Sequence, residues 1–287
     1  MTLRRKLLVS AVALAVVLGG AAPGHAQIQY QTGQNVAPIY EGWIRNDDGT
    51  IDMVFGYLNR NWGELLYLPI GQDNNVQPGG PDRGQPTIFV TRRITQPPGE
   101  RREQFVFRVR VPADWGPKQE VVWTLTAHGR TDRAVGTLDP LEEIDTHVIA
   151  ENRAFTIIEN NKPPSIQSLE ADPSTVTLPG TVTLTARVSD DGLPKPPAFG
   201  RGGGAAAAAL GLGGRILGLS VKWVYYRGPG IGLVKFEPER SGPITDGRAA
   251  TKVTVKEPGV YMFRAFADDG SLFATSDIAV VVKPPAK

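Results

Sequence analysis

The chain has 287 residues, with 33 glycines, 24 prolines, no cysteine and a formal net charge of +2. The lack of cysteine excludes a disulfide scaffold, a thiolate metal site, a thiol nucleophile and a cysteine-linked lipid anchor. With 31 basic residues against 29 acidic ones, the chain carries no strongly basic fingerprint, and nucleic acid is not an expected partner.

Residues 1–26 read as a signal peptide. Arg4, Arg5 and Lys6 precede the apolar run Leu7 to Leu18, and Gly24-His25-Ala26 puts small residues at the cleavage-determining positions. No later stretch reaches the roughly 20 apolar residues of a membrane helix, so no transmembrane segment is expected after cleavage. The expected location is the periplasm or the extracellular medium. Arg4-Arg5 leaves both the general and the twin-arginine export routes open. Cleavage leaves 261 residues, with 28 basic and 29 acidic groups, enough for two domains with real cores.

The expected fold class is all-β, as two β-sandwich domains. In the first, 30–150, Ile51, Met53, Phe55 and Tyr57 alternate after the Asn46–Thr50 turn. Phe105, Phe107, Val109 and Val111 alternate with Arg108 and Arg110, and Val121, Trp123 and Leu125 follow. The segment from Gly71 to Pro86, rich in asparagine, proline and glycine, reads as loop. Residues 151–162 read as a linker, because Asn160-Asn161 and Pro163-Pro164 interrupt any pairing pattern.

In the second domain, 163–285, strand patterns recur at Val182–Val188, Leu219–Tyr225, Val253–Val255, Tyr261–Ala267 and Ile278–Val282. This spacing is that of an immunoglobulin-like sandwich. A low-complexity loop, 193–218, interrupts the series. Its glycines support no β ladder, and Ala205–Ala209 is too short for a stable isolated helix. After cleavage, residues 27–160 carry 13 basic and 18 acidic residues and residues 161–287 carry 15 and 11. That opposite bias favours docking of the two halves on each other.

The stretches VKWVYYRGPG (221–230), EPGVYMFRAFADDG (257–270) and SDIAVVV (276–282) resemble, over residues 163–285, the polycystic kidney disease (PKD) repeat and related immunoglobulin-like modules of bacterial surface proteins. The resemblance implies adhesion, spacing or complex formation. It makes Trp223 a core tryptophan and Tyr261 a corner tyrosine, leaving Tyr226, Met262 and Phe266 on the other face, for a partner or the first domain. Residues 39–137, with FGYLNRNWGELLYLPIGQDNNVQPGGPDRGQPTIF and VVWTLTAHGRT, resemble a module of uncharacterised exported bacterial proteins. Here Val90-Thr91-Arg92 replaces the proline-glycine-arginine common in that module.

Two four-residue stretches, Ser189–Gly192 (SDDG) and Ala267–Gly270 (ADDG), each follow a strand pattern. In an immunoglobulin-like sandwich these loops share one end, which makes neighbours of Asp190, Asp191, Asp268 and Asp269. The group reads either as turn chemistry alone or as a weak Ca²⁺ site. A second candidate binding surface is an arginine hairpin, Arg92, Arg93, Arg101 and Arg102 with Arg108 and Arg110, suited to an acidic polysaccharide or an acidic protein. No catalytic residue stands out. Only His128 and His147 remain after cleavage, neither HExxH nor GxSxG occurs, and Glu142, Glu143 and Asp145 read as a solvated turn. The sequence therefore points to a non-catalytic exported protein that contacts a protein or polysaccharide in the envelope or outside the cell. The alternatives are a carboxylate-dependent carbohydrate-active hydrolase and a structural spacer.

Overall fold

Period-two alternation governs the chain, and the computed structural model is nearly all β; it describes residues 30–91, 101–153, 159–195, 218–232 and 234–286. The expected signal peptide, Arg92, Arg93 and most of the 193–218 loop lie outside the described residues. Residues Gln31–Lys287 form one compact unit.

The first half holds β1 (Val36–Arg45), β2 (Ile51–Asn59), β3 (Leu66–Tyr67), β4 (Asn74–Gln77), β5 (Ile88–Phe89), β6 (Arg102–Val111), β7 (Val121–Ala127) and β8 (Arg130–Gly136). The antiparallel sheet β1-β2-β6 faces the sheet β4-β7-β8, with the short β3-β5 pair alongside. Between them, Trp123 meets the edge of Phe107 at 4.8 Å and stacks near Phe89 at 6.2 Å. Such aromatic pairs add to plain area burial.

Two segments differ from their sequence patterns. The stretch from Gly71 to Pro86 contains β4, paired with β7 from Asn74↔Leu125 to Gln77↔Val122. Asparagine and glutamine are poor strand formers, and tertiary hydrogen bonds override that propensity here. The Asn74 amide donates to the carbonyls of Leu68 at 3.0 Å and Pro86 at 2.8 Å, and its oxygen accepts from Trp123 Nε1 at 3.0 Å. The second difference is α1 (Thr146–Arg153), a helix where the sequence pattern named no element. Asp145 caps it, its Oδ1 accepting from Val148 N at 2.8 Å. Ile144 is buried against Val54 and Phe105, with Val148, Ile149 and Phe273 packed around them. This cover explains why β2 is buried on both faces instead of one.

The second half holds β9 (Ser165–Asp172), β10 (Thr175–Thr177), β11 (Thr181–Ser189), β12 (Ser220–Arg227), β13 (Lys235–Glu237), β14 (Arg240–Ser241), β15 (Arg248–Thr254), β16 (Gly259–Asp268) and β17 (Phe273–Lys283). Its sheets run β10-β17-β16-β12-β14 and β13-β15-β11-β9. Among the described strands of this half only β10 pairs parallel, to the last strand, and the resulting order is immunoglobulin-like. Trp223 is 1% exposed on β12. The Tyr261 hydroxyl donates to the Glu257 carbonyl, four residues upstream, at 2.9 Å, as a corner tyrosine does.

The halves meet where β12 ends. Thr87 N donates to the Tyr226 carbonyl, the Tyr226 hydroxyl to the Gly84 carbonyl at 2.6 Å, and Arg227 Nε to the Gln85 carbonyl at 2.7 Å. Arg227 also pairs with Asp82 at 2.8 Å, an attraction of the sign expected from the charge bias. Arg264 lies over the Tyr226 ring at 3.5 Å, grips Asp277 with two hydrogen bonds and donates to the Val106 carbonyl. Ile88, from β5, belongs to the apolar core of the second half. The cavity left between Ile88, Phe105, Tyr226 and Arg264 is about 50 Å³, room for a water molecule or two and no substrate.

Arg264→Ala removes a largely buried cation from Asp277, Tyr226 and Val106, and is expected to lower stability by about 3 kcal/mol. Urea unfolding followed by tryptophan fluorescence measures this. Because the halves share core residues, the wild type should unfold in one transition; two separated transitions would contradict the shared core.

Candidate functional site

The two aspartate pairs end β11 and β16, and both copies begin as turns. Gly192 N donates to Asp190 Oδ2 and Gly270 N to Asp268 Oδ1, with φ of +81° and +99° at the glycines. A side chain on Cβ would strain both positions. The second aspartate of each copy reaches further. Asp191 accepts from Leu193 N at 2.9 Å and from Lys162 N at 3.0 Å. Asp269 accepts from Ser271 N at 2.6 Å, Leu272 N at 2.7 Å and Asn161 Nδ2 at 3.1 Å.

Asp269 is 1% exposed. Burial pushes its carboxyl up to about 6, and the nearby charge of Asp190 adds to that rise against the three hydrogen bonds. Burial, followed by the charge of Asp191, raises Asp190 as well, opposed by the Gly192 amide. The structure thus brings the two loops together at one end of the sandwich. Asp268 turns aside to Arg240, at 3.6 Å. Among the described residues no group of three or more histidine, aspartate or glutamate side chains is placed to hold a metal.

The described arginines are distributed among separate partners. Arg102 pairs with Glu41 at 2.6 Å. Burial raises the Glu41 carboxyl, and the Arg102 hydrogen bond and charge offset only part of that rise. Arg110 and Arg108 both converge on buried Asp52, at 2.8 and 3.7 Å. A β-bulge separates these two pairings: Phe105 has φ +53° and the register slips opposite Gly56. Among the described residues Arg101 has no carboxylate partner; its guanidinium lies 4.1 Å over the Trp62 ring, and its Nη1 donates to the Arg60 carbonyl at 3.0 Å. Burial lowers the Arg101 pKa.

Trp62 was not among the residues singled out from the sequence. Its signal is a tryptophan inside the polar turn Arg60–Gly63, where no strand needs it for a core. That turn is pinned: Asn61 Nδ2 donates to the Gln34 carbonyl at 2.7 Å, and Gly63 N to the Gln31 carbonyl at 2.8 Å. Asn161 and Ser271 were missed too, since a linker asparagine and a serine after a turn carry no pattern.

The remaining candidates have structural partners or none that do chemistry. His128 takes the first position of a tight β7–β8 turn with φ +50°, and its Nε2 lies 3.0 Å from Glu64 Oε1. His147 is exposed in the first turn of α1. Asp145 caps α1 and Asp139 caps the short 3-10 turn Pro140–Glu142, so this acidic stretch serves helix ends.

No protein-family model matches the chain, and no curated protein matches it. Solved structures that align with it include the D00-D0 domain of intimin, at 10% identity over 86% of this chain and 98% of that one, TM-score 0.28. The adhesin InvE of Yersinia pseudotuberculosis aligns at 8% identity over 90% of this chain and 61% of that one, TM-score 0.27. Domains 4 and 5 of the S-layer protein SbsC align at 11% identity over 88% and 98%, TM-score 0.22. At TM-scores this low, likeness carries no argument about activity.

Asp52 gives the pH dependence a sign. Burial acts to raise its carboxyl, but hydrogen bonds from Arg110 and Asn46 and the charges of Arg110 and Arg108 outweigh it, leaving the pKa below the usual value. A carboxylate depressed in the folded state contributes stability above its unfolded pKa and loses it as pH falls through the folded one. The stability gap between wild type and Asp52→Asn should therefore shrink as pH drops from about 5 to about 2. Urea melts across that range measure it; a constant gap would remove the Arg110–Asp52 pair as an acid-sensitive element.

Proposed function

We propose that this chain is a non-catalytic exported protein that makes protein or glycan contacts in the cell envelope or outside the cell, with Trp62, Arg101 and Arg60 as its contact shelf. Export is supported by the basic, apolar and small-residue order of residues 1–26. The shelf is the observation that favours a glycan of the two. A partly exposed indole offers an aromatic face to a sugar, and the guanidinium 4.1 Å over the ring suits a carboxylate or sulfate on the same sugar. Arg60 adds a second, half-exposed cation, although Asp132 at 3.5 Å shares it.

The scaffold supports this reading. Pinned turns on packed β-sandwiches are a common platform for recognition, because the sheets hold the loop shape that a ligand meets.

An acidic polysaccharide, polygalacturonate, is the probe, with neutral dextran as the reference. Calorimetric titration should detect the acidic chain alone, with affinity falling as salt is raised. Trp62→Ala and Arg101→Ala should each weaken binding about tenfold, equivalent to about 1.4 kcal/mol, at unchanged melting temperature. Equal binding of both polymers, or binding indifferent to both substitutions, would remove the shelf. Shortening of the polysaccharide during the titration would favour the hydrolase instead.

A further inference from the structure

We propose a Ca²⁺ site at the carboxylate-bearing end of the second sandwich, formed by Asp190, Asp269, Asn161 and Ser271. It draws one aspartate from each copy of the repeated motif and leaves Asp191 and Asp268 out. The proposal does not rest on the Trp62 shelf.

Three chain segments meet there. The stretch around Asn161 enters from the connection between the halves, Asp190 follows the last residue of β11, and Asp269 to Leu272 follow β16. Asn161 Nδ2 donates to Asp269 Oδ2 at 3.1 Å, and Lys162 N to Asp191 at 3.0 Å, so the connection is fastened to both loops. The Ser271 amide donates to the other oxygen of Asp269 at 2.6 Å.

Among the described residues, three oxygens around this junction are buried without a hydrogen-bond partner: Asp190 Oδ1, Asn161 Oδ1 and Ser271 Oγ. Ser271 is 1% exposed, and its hydroxyl is carried by the residue whose amide grips the Asp269 carboxylate. Carboxylate and amide oxygens only accept hydrogen bonds. Buried acceptors of this kind are rare enough in folded proteins that each needs an explanation, an ion or an ordered water being the usual ones. Here two of them stand beside a second carboxylate, whose charge an arriving cation would balance.

What separates the aspartates is the unpartnered oxygen: Asp190 Oδ1 is buried without a hydrogen bond, whereas Asp268 faces Arg240 at 3.6 Å and the oxygens of Asp191 accept from Leu193 N and Lys162 N. Asp269 is also hydrogen-bonded, but its Oδ2 takes one bond, from Asn161, and an oxygen with two lone pairs can accept a cation beside it. What is left is an all-oxygen set, with two carboxylates, one amide and one hydroxyl. Ca²⁺ accepts six to eight oxygens in irregular geometry, so backbone carbonyls and water can complete it, whereas Mg²⁺ demands a stricter octahedron. Only two ligands carry charge, which puts the site in the weak class, with a dissociation constant of about 10⁻⁴ to 10⁻³ M, as in extracellular modules.

The test is calorimetric titration of the purified full chain with CaCl₂, beside thermal melts in Ca²⁺ and in EDTA. Calcium at about ten times its dissociation constant should raise the midpoint by about 3 °C. Asp190→Asn and Ser271→Ala should each abolish or strongly reduce both the heat and the rise, while melting in EDTA at or above the wild-type midpoint, which separates lost binding from lost folding. Asp191→Asn should retain the calcium response. No calcium response in the wild type, or a rise that survives both Asp190→Asn and Ser271→Ala, overturns the site. So does an equal response to Mg²⁺.

Discussion

Asn74 sits where three chain segments need a hydrogen-bond partner in a dry interior, and much of the rest of the structure depends on that need being met. Its amide holds the carbonyls of Leu68 and Pro86, and its oxygen takes the indole proton of Trp123. A buried unmade hydrogen bond costs about 1–3 kcal/mol, so the segment between residues 68 and 86 has little freedom to close any other way. Gln85 continues the same work one step outward: its side chain donates to the Pro81 carbonyl at 2.7 Å and accepts from Arg83 N at 2.8 Å. The result is a loop whose outer rim is shaped from within. That rim offers the Asp82 carboxylate, the carbonyls of Gly84 and Gln85 and the Thr87 amide to the end of β12.

The run from Asp82 to Phe89, on which much of the first half's resemblance rests, therefore has a physical reading in this chain. Asp82 meets Arg227, Gly84 turns with φ +98° and presents its carbonyl to Tyr226, Gln85 braces the loop, and Phe89 enters the aromatic core. These residues join the halves of this molecule. Tyr226 and Phe266, which alternate outward from the second sandwich, are the matching surface, with Phe266 stacked on Phe273 at 4.8 Å and Phe273 against Phe105.

Strands with a clean alternation, such as β6 and β11, were legible because one face of each meets a core and the other largely meets water; β16 alternates as well, with Arg264 and Phe266 of its second face at the junction. Trp223 and Tyr261 were legible for the same reason, with the corner hydrogen bond following from their place in the strand order. Three features left no such trace. β4 is written in residues that prefer turns and exists because buried amides and Trp123 hold it. The double burial of β2 depends on Ile144, Val148 and Phe273, which lie far along the chain. α1 is short and only weakly amphipathic, so its packing, not its period, makes it a helix. In the candidate site, the shared end of the two aspartate loops was legible from strand order. Which carboxylate of each pair faces inward was not, because that depends on Arg240, Lys162 and Asn161 arriving from other segments. The arginines likewise looked like one row in sequence, and the bulge at Phe105 sends Arg102 to Glu41 and leaves Arg108 and Arg110 on Asp52.

The connection between the halves is the point where fold and site become one problem. Asn161 and Lys162 belong to it, and both are tied to the aspartate loops, while the other side of the junction is closed by Arg227, Arg264 and backbone hydrogen bonds. The first pair fastens the end of the connection to the second half, and the second set joins the halves themselves, so a swing of one half against the other must break the bonds of Tyr226, Arg227 and Arg264. A cation among Asp190, Asp269 and Asn161 would then act on the stability of that arrangement and not on its angle. In such a body a contact surface on the first half keeps a fixed orientation relative to the end of the second, a property that depends on the polar groups buried at the junction more than on the sheets themselves.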